Sequence, residues 1–478
     1  MTIPASLDPA LDPDPGTVAG AASDGDDPPA ELAIHASCRQ EVQRALAARG
    51  IATSDADLDL SLVDALGLAL FRLPARAVRQ YAALVRRAGT RPASATAPAI
   101  HPRPCTNELA LLERRAGRRF TELELLMYDL RVDLARTTGT VPAMGKNRDV
   151  VTINPQSKGG VGGSPQSKPQ SKPQSKGGGV DPVELSGDPV DPVPVGAGTG
   201  TPGSAWPVLT DGGPGDGVSV GVVDLPLLAV GLPALTSTLV TELEHPAALA
   251  AAPTSWAGHG NFVVGLIRRQ APGARIVASP GLRSWDGTGT SWDVARAMAA
   301  LAERGISVLN LSLGVATEDD EPPFVIRQAI EALRARHEHL LVVASAGNRA
   351  SLPDPPEAVW PAALTDVVAV GANTEYRSQF SPRKPWVDVT AAAVDVVSLY
   401  RLGEVAMPDG SAPTFPDGLA RWSGTSFAAA TVSGAVAARM TTRADGSARQ
   451  DPLTPADALA ELLADQASPV RRYVHVPS

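Results

Sequence analysis

The sequence predicts an α/β protein: a doubly wound, mostly parallel sheet over residues 211–470, preceded by a small helical domain and a disordered linker. Short apolar runs alternate with helix-like segments after residue 211, residues 31–145 show helical periodicity, and a repetitive Gly- and Pro-rich stretch lies between them. Strands that are apolar throughout are typical of a parallel sheet covered on both faces. Ligands of such a sheet bind at the C-terminal ends of its strands.

Composition narrows the class of protein. The chain has 478 residues with a net charge of −9, which argues against a protein that binds nucleic acid through bulk charge. Its two cysteines, Cys38 and Cys105, exclude a disulfide-rich scaffold and a four-cysteine zinc site. Residues 1–30 are acidic and are expected to be disordered. A basic start followed by an apolar run is missing there, so we expect no signal peptide, no membrane contact and a cytoplasmic location.

Residues 31–145 are predicted to form helices. Leu58, Leu62, Leu66 and Leu70 recur at helical spacing. Further helices are expected over residues 75–89, 107–116 and 121–136, and Thr121 with Glu124 fits a capping box. Basic residues outnumber acidic ones in this segment. We expect them to lie on the solvated outer faces of a helical bundle, and a basic docking face is the alternative.

Residues 146–210 are predicted to be a linker. The tetrapeptide Pro-Gln-Ser-Lys occurs four times, starting at Pro155, Pro165, Pro169 and Pro173. Glycine runs separate the repeats, so no hydrophobic face can form. A nucleic-acid tether through the spaced lysines is the weaker alternative.

The sequence predicts individual strands and helices within residues 211–470. Apolar strand candidates cover residues 218–224, 274–278, 306–314, 340–348 and 366–372. Helix candidates cover residues 292–304, 323–336 and 454–463, the last with Pro in its first turn.

Three motifs carry reactive side chains. Asp224 ends an apolar strand, where a carboxylate can accept a hydrogen bond from an imidazole, although Asp also ends many ordinary strands. His259 stands between Gly258 and Gly260 at the start of an apolar helix; the glycines leave space around the ring, and a capping histidine is the alternative. Ser426 opens an Ala-rich helix, whose unpaired N–H groups favour a developing negative charge, and a simple Ser N-cap is the alternative.

Together these motifs resemble the subtilisin-like serine proteases. The order Asp, His, Ser is the order of that family. His259-Gly260 and Gly424-Thr425-Ser426 are similar to the family's histidine and serine motifs. The resemblance extends to residues 344–348, which match the segment that carries the oxyanion asparagine, and to residues 310–314 and 285–291, which are similar to the two strands beside the substrate.

The resemblance implies a serine endopeptidase that acts on protein or peptide substrates. Ser426 would attack the peptide carbonyl, His259 would accept its proton, and Asp224 would orient the imidazole. The Asn348 amide and the Ser426 N–H would form the oxyanion hole. Calcium is common in the family, but no metal loop can be recognised, and no cofactor is predicted. The expected substrate-binding residues are Leu311, Ser312, Leu313, Gly314, Ala344, Ser345, Ala346 and Gly347.

Departures from the family pattern keep an alternative open. Leu225-Pro226 follows Asp224 where the family usually has a small polar residue and Gly, and Asn261 and Phe262 replace the common Thr and His. The alternative is a catalytically weak or inactive module that binds peptides or a partner. Pro-regions of the family are usually compact α/β units, whereas residues 31–145 are predicted to be helical. We therefore expect a tethered adaptor, regulatory or recruiting through a protein partner, rather than a segment that fills the cleft.

Overall fold

A computed structural model shows how these segments are arranged. It describes most of the chain from Pro28 to Tyr473; the predicted disordered tail and most of the predicted linker lie outside the described residues. The described ranges are 28–88, 106–152, 192–195, 213–228, 240–242, 254–283, 287–317, 320–352, 355–373, 380–407 and 410–473.

Residues 28–152, here called the N-terminal unit, combine helices with a four-stranded antiparallel sheet in the order β2-β3-β1-β4 and end in a short extension, residues 147–152. The predicted helices over 75–89, 107–116 and 121–136 are confirmed, and both bonds of the capping box between Thr121 and Glu124 are present. The strands are β1 (Ala30–His35), β2 (Leu58–Asp59), β3 (Leu68–Leu73) and β4 (Met144–Lys146). The helices are α1 (Arg39–Ala48), α2 (Val63–Leu66), α3 (Ala75–Ala88), α4 (Thr106–Arg115) and α5 (Glu122–Thr138).

The helix predicted from the leucines at 58, 62, 66 and 70 is wrong. The segment contains β2, the single turn α2 and the start of β3. Gly67 ends α2 with φ of +68°, a left-handed conformation that glycine adopts without strain. The leucine spacing misled because β3 is apolar on both faces, so it lacks the alternation that identifies a half-buried strand.

The two faces of this sheet pack against different partners. Leu32, Ile34 and Phe71 lie in a core that belongs to the N-terminal unit alone. Leu68 and Leu70, which point the other way from β3, belong to the same hydrophobic cluster as the C-terminal part of the chain. The N-terminal unit therefore buries its second face only by docking.

Residues 213–473, here called the C-terminal unit, are built on an eight-stranded sheet in the order β20-β15-β14-β13-β11-β7-β9-β8. All neighbours pair in parallel except β15 and β20, so the predicted doubly wound α/β architecture is confirmed. The strands are β7 (Ser219–Asp224), β8 (Val240–Glu242), β9 (Arg275–Pro280), β11 (Val308–Leu311), β13 (Leu341–Ser345), β14 (Val368–Ala372), β15 (Val389–Ala391) and β20 (Arg471–Arg472).

In the described part of this unit, five α-helices pack on the sheet or on one another. α6 packs with α9, and α7 packs with α8. Helix α9 is almost entirely buried, which explains its Ala-rich sequence, since small side chains let it run close to the strands. The helices are α6 (His259–Gln270), α7 (Ser291–Leu301), α8 (Phe324–Arg336), α9 (Thr425–Thr441) and α10 (Pro455–Ala464). In the described part of the chain no helix has the length and apolarity that crossing a membrane requires.

Three small sheets complete the fold, in the orders β10-β5-β12, β16-β19-β6 and β17-β18. Strands β5 and β6 come from the range 146–210, so part of the predicted linker is paired with the C-terminal unit. The strands are β5 (Asp149–Thr152), β6 (Val193–Pro194), β10 (Thr288–Thr290), β12 (Leu313–Gly314), β16 (Val396–Leu399), β17 (Gly403–Glu404), β18 (Thr414–Phe415) and β19 (Leu419–Trp422).

Candidate active site

Asp224 and His259 form a buried hydrogen-bonded pair. Asp224 ends β7 and His259 begins α6, and their Oδ1 and Nδ1 atoms lie 2.8 Å apart. Asp224 Oδ1 also accepts the backbone N–H of Leu225 at 2.7 Å. The residue that replaces the family's usual one thus supplies a backbone donor to the carboxylate. Because Nδ1 faces the carboxylate, Nε2 is the atom of the ring that remains for proton transfer.

Aromatic rings surround His259. The ring lies edge-on to Trp422 with a centroid distance of 5.6 Å, and Phe427 is 5.5 Å away. Among the residues that the structure describes, nothing hydrogen-bonds to Nε2. Gly258 and Gly260 permit this packing, because a Cβ would collide with the Tyr400 ring at the first and with the Leu225 carbonyl at the second. The space that the glycines were predicted to leave is occupied here by aromatic side chains and by backbone.

Ser426 occupies the first turn of α9 and is fully buried. Its hydroxyl donates to the carbonyl oxygen of Ser312 at 3.2 Å, while its own carbonyl accepts from the Ser312 hydroxyl at 2.8 Å. The serine is therefore bonded to the predicted substrate-binding segment. Transfer of its proton to His259 requires rotation of the hydroxyl away from Ser312.

Asn348 lies in the loop after β13. Its Oδ1 accepts the backbone N–H of Thr425 at 2.9 Å and the Thr425 hydroxyl at 3.0 Å, which fixes the orientation of the amide. Thr425 Oγ1 also accepts the N–H of Gly347 at 3.0 Å. Thr425 thus connects the loop that carries Asn348 to the start of α9. Its sequence signal was only its place in the serine motif.

The predicted substrate-binding residues meet at the C-terminal edge of the sheet. Leu311 of β11 pairs in register with Ala344 of β13, and both segments continue toward α9. Gly347 has φ of +105°, so a side chain there would strain the turn before Asn348. All eight residues are buried or lie in strands of this edge: Leu311, Ser312, Leu313, Gly314, Ala344, Ser345, Ala346 and Gly347.

The chain's own strand β5 lies in the cleft between β10 and β12. It pairs antiparallel with both, Gly289 lying opposite Val150 and Gly314 opposite Val151. The Val150 side chain is fully buried. Since Thr152 lies opposite Leu313, the strand runs toward Ser312 and hence toward Ser426. The structure therefore differs from the expectation of a tether that leaves the cleft unfilled.

A chain of buried polar groups behind Ser426 was not predicted. Ser433 donates to Asn310 Oδ1 at 3.1 Å, and Asn310 Nδ2 donates to the Ser312 hydroxyl at 2.9 Å. Ser433 lies two helical turns after Ser426, on the side of α9 that faces β11. Its only sequence signal was a hydroxyl in an otherwise Ala-rich helix.

Polar contacts fix the N-terminal unit next to the cleft. Asn147 Oδ1 accepts the N–H of Trp292 at 2.9 Å, and so pairs a donor of the first turn of α7. Asp59 Oδ2 accepts the Trp292 indole N–H at 3.1 Å and lies 3.6 Å from Arg296. Burial by itself raises the pKa of Asp59, but hydrogen bonds from Ser61 and Trp292 and the charge of Arg296 lower it below its usual value.

In the described ranges, no three side chains of His, Cys, Asp or Glu are grouped so that they could hold an ion.

Comparison with known proteins identifies the family. The family model described as Peptidase_S8, subtilase family, matches residues 215–474, more than half of the chain. A thermophilic serine proteinase of Bacillus sp. (strain AK1) is 34% identical over 176 residues, 34% of this chain and 41% of that protein. Subtilisin DY of Bacillus licheniformis is 29% identical over 154 residues, 30% of this chain and 54% of that protein.

Among solved structures, the prenylagaramide maturation protease PagA is similar at 23% identity, with 53% of this chain and 84% of that chain covered and a TM-score of 0.41. The chain spans about half the length of the two curated relatives. The match of the family model over residues 215–474 shows that the chain belongs to the subtilase family.

Proposed function

We propose that this protein is a serine endopeptidase that is held inactive by its own N-terminal unit. The observation that carries the proposal is the chain's own strand β5, paired as a peptide between β10 and β12 and directed at Ser426. Substrates of serine endopeptidases are extended peptides, and pairing of this kind is how an extended peptide adds to exposed strand edges.

The reaction would be acyl transfer. Ser426 Oγ attacks the carbonyl carbon of the peptide bond, and His259 Nε2 takes the hydroxyl proton and later gives it to the leaving amine. Asp224 holds the imidazole through the 2.8 Å bond to Nδ1 and stabilises the cation that forms. The N–H of Ser426 at the start of α9 and the Asn348 amide would stabilise the oxyanion.

Inhibition would follow from occupancy of the cleft. Ser426 and His259 are both fully buried, so a substrate cannot reach them while the N-terminal unit is docked. Val150 is also fully buried, and its strand uses backbone groups that a substrate would need. Activity therefore requires release of β5 from its pairing with β10 and β12.

Labelling with a fluorophosphonate tests both parts of the proposal. In Val150→Asp, a carboxylate would have to enter the site that Val150 fills, and the cost of burying an unpaired charge should empty the cleft. We expect this variant to label at least tenfold faster than the wild type, and the same variant with Ser426→Ala not to label. Val141→Asp is the matched control, because Val141 is 66% exposed.

The outcomes separate the two parts. If Val150→Asp labels no better than its Ser426→Ala form, the protease proposal is wrong. If Val150→Asp labels no faster than Val141→Asp while both label through Ser426, the enzyme stands and self-inhibition is wrong.

A peptide-binding module without catalysis is the second candidate. The observation that favours it is the hydroxyl of Ser426, which is bonded to Ser312 while His259 Nε2 has no partner among the described residues. In that case the opened variant would bind peptides with unchanged affinity after Ser426→Ala and would not release cleaved products.

A further inference from the structure

A cavity of about 680 Å³ lies where the N-terminal unit meets the C-terminal unit, which is called the subtilase domain from here on. Its walls come from the end of α4, from α5 and β4 on one side, and from residues 320–327 at the start of α8 on the other. At Gly145 of β4 a Cβ would collide with Phe324 of α8, so the two units are in close contact beside it. The volume is that of a site for a small organic molecule.

Cations outnumber carboxylates around this cavity. The carboxylates are Glu124, Asp320 and Glu321, leaving three more positive than negative side chains. The chain as a whole has a net charge of −9, so this concentration runs against its composition. The cations are Arg115, Arg118, Arg131, Lys146, Arg148 and Arg327.

The carboxylate of Glu124 in this set is already paired with two cations. Glu124 accepts from Arg118 at 2.8 and 2.9 Å and from Lys146 at 2.7 Å. Burial alone opposes its ionisation, but these hydrogen bonds hold the pKa of Glu124 well below its usual value. Glu124 is therefore a fixed anion that positions two cations at the wall.

Arg131, a cation at the wall of the cavity, lacks a close counter-ion among the described residues. Its Nη2 donates to the Met144 carbonyl at 2.7 Å, and among the described residues none forms an ion pair with it. Burial lowers the pKa of this guanidinium, opposed by the more distant charge of Glu321. A half-buried guanidinium with spare donors at a cavity wall is suited to a planar or tetrahedral oxyanion.

The cavity also offers aromatic surface. Phe120, Tyr128 and Phe324 contribute to its walls, and the Arg118 guanidinium lies 5.9 Å from the centre of the Phe120 ring. Arginines that bind phosphate next to rings that can stack on a planar group suit a phosphorylated molecule with an aromatic part.

We propose that this cavity binds an organic polyphosphate of nucleotide size, and that the bound anion holds the N-terminal unit against the subtilase domain. The ligand would contact Arg115, Arg118 and Arg131 on one unit and Arg327 on the other. Since it contacts both units only when they are docked, binding and docking reinforce each other. The inhibitory consequence rests on the proposed function; binding and docking themselves do not.

The test uses the full chain with Ser426→Ala, so that no cleavage intervenes. Calorimetric titrations with ATP, pyrophosphate and adenosine at constant ionic strength are compared. We expect one site for ATP, weaker binding of pyrophosphate and none of adenosine. Hydrogen exchange of the β5 amides reports docking, and saturating ATP should slow it at least fivefold.

Three variants locate the site. Arg131→Met keeps the apolar stem and removes the charge, and we expect at least a tenfold loss of affinity for ATP. Arg115→Gln and Arg327→Gln alter exposed side chains, which keeps the test valid if Arg131→Met does not fold. Arg304→Gln, an exposed arginine outside the cavity, is the matched control and should bind normally.

Several results would overturn the proposal. They are the absence of saturable ATP or pyrophosphate binding at millimolar concentration, equal affinity in Arg327→Gln and Arg304→Gln, and binding that leaves the exchange of β5 unchanged. Fluorophosphonate labelling of the opened protein remains independent of all three, so failure here leaves the proposed enzyme untouched.

Discussion

The N-terminal unit and the subtilase domain obtain their stability in different ways. The subtilase domain packs a parallel sheet between its own helices, so most of its core lies within residues 213–473. The N-terminal unit covers one sheet face with its own helices and leaves Leu68 and Leu70 for the neighbouring unit. The smaller unit therefore leaves one face of its sheet to be covered by docking, whereas helices of the larger unit cover both faces of its own sheet. The self-inhibition proposed above is consistent with this asymmetry.

The largest expected effect is confined to the subtilase domain. Asp224→Asn keeps the shape of the side chain but presents an amide to His259, which disfavours the productive tautomer. In the opened Val150→Asp protein we expect peptide hydrolysis to fall about 10⁴-fold. With Val150 restored, Asp224→Asn should leave docking unchanged, as measured by hydrogen exchange of β5; a loss of docking would show that the two units are not separable in this way.

A Leu→Ala substitution should act differently in the hydrophobic cluster shared by the two units and in the N-terminal unit's own core. Leu70→Ala removes contacts of the shared face, and we expect docking to weaken by about 2–5 kcal/mol while the N-terminal unit stays folded. Leu130→Ala removes contacts of that unit's own core and should lower its free energy of unfolding by a similar amount. Exchange of the β5 and α5 amides in the Ser426→Ala protein distinguishes these results.

If Leu70→Ala exposes α5 to exchange as strongly as Leu130→Ala does, the comparison fails. The N-terminal unit would then have a single core that extends across the interface.

The polar contact of Asn147 with α7 should contribute less to the free energy of docking than the shared apolar face does. Asn147→Ala removes the acceptor for the Trp292 N–H, which we expect to weaken docking by about 1 kcal/mol, or roughly fivefold. Asn147→Asp keeps an acceptor at the start of α7 but replaces the amide that donates to Glu31 at 2.6 Å, so it should retain only part of the docking. Exchange of β5 measures both, and equal losses in the two variants would contradict this role.

The smallest effect concerns pH. The pKa of Asp59 is lowered in the docked state. The ionised carboxylate therefore stabilises docking fully at pH values above the ordinary carboxyl pKa, and this stabilisation is lost as the pH falls through the lowered pKa. We expect docking to weaken a few-fold below about pH 4. Asp59→Asn should weaken docking at neutral pH and flatten this dependence; an unchanged acid response in that variant would assign it to other groups.

Prediction from sequence succeeded where motifs and periodicity are local. The runs that became β7, β9, β11, β13 and β14 were apolar over their whole length, as buried parallel strands must be. The helices that begin near Thr121 and Thr454 have capping side chains that were visible in the sequence. The sequence also placed Asp224 at the end of a strand, and His259 and Ser426 in the first turns of helices, as the structure has them.

Prediction failed where a segment takes its structure from a distant partner. Strand β5 has four residues, too few for a periodic signal, and forms because β10 and β12 supply its hydrogen bonds. Strand β3 lost its alternation because both of its faces are buried, one by its own unit and one by the other. Neither partner could be recognised from the local sequence.

The sequence by itself determined the subtilase fold and the places of Asp224, His259 and Ser426 at the ends of its strands and helices. These features depend on local pattern and on the rule that parallel strands end at one edge. Only the tertiary structure decided that the chain fills its own cleft, that the N-terminal unit contains a sheet, and that cations from two units surround one cavity. Those features depend on contacts between residues far apart in the chain, whose energies no local pattern records.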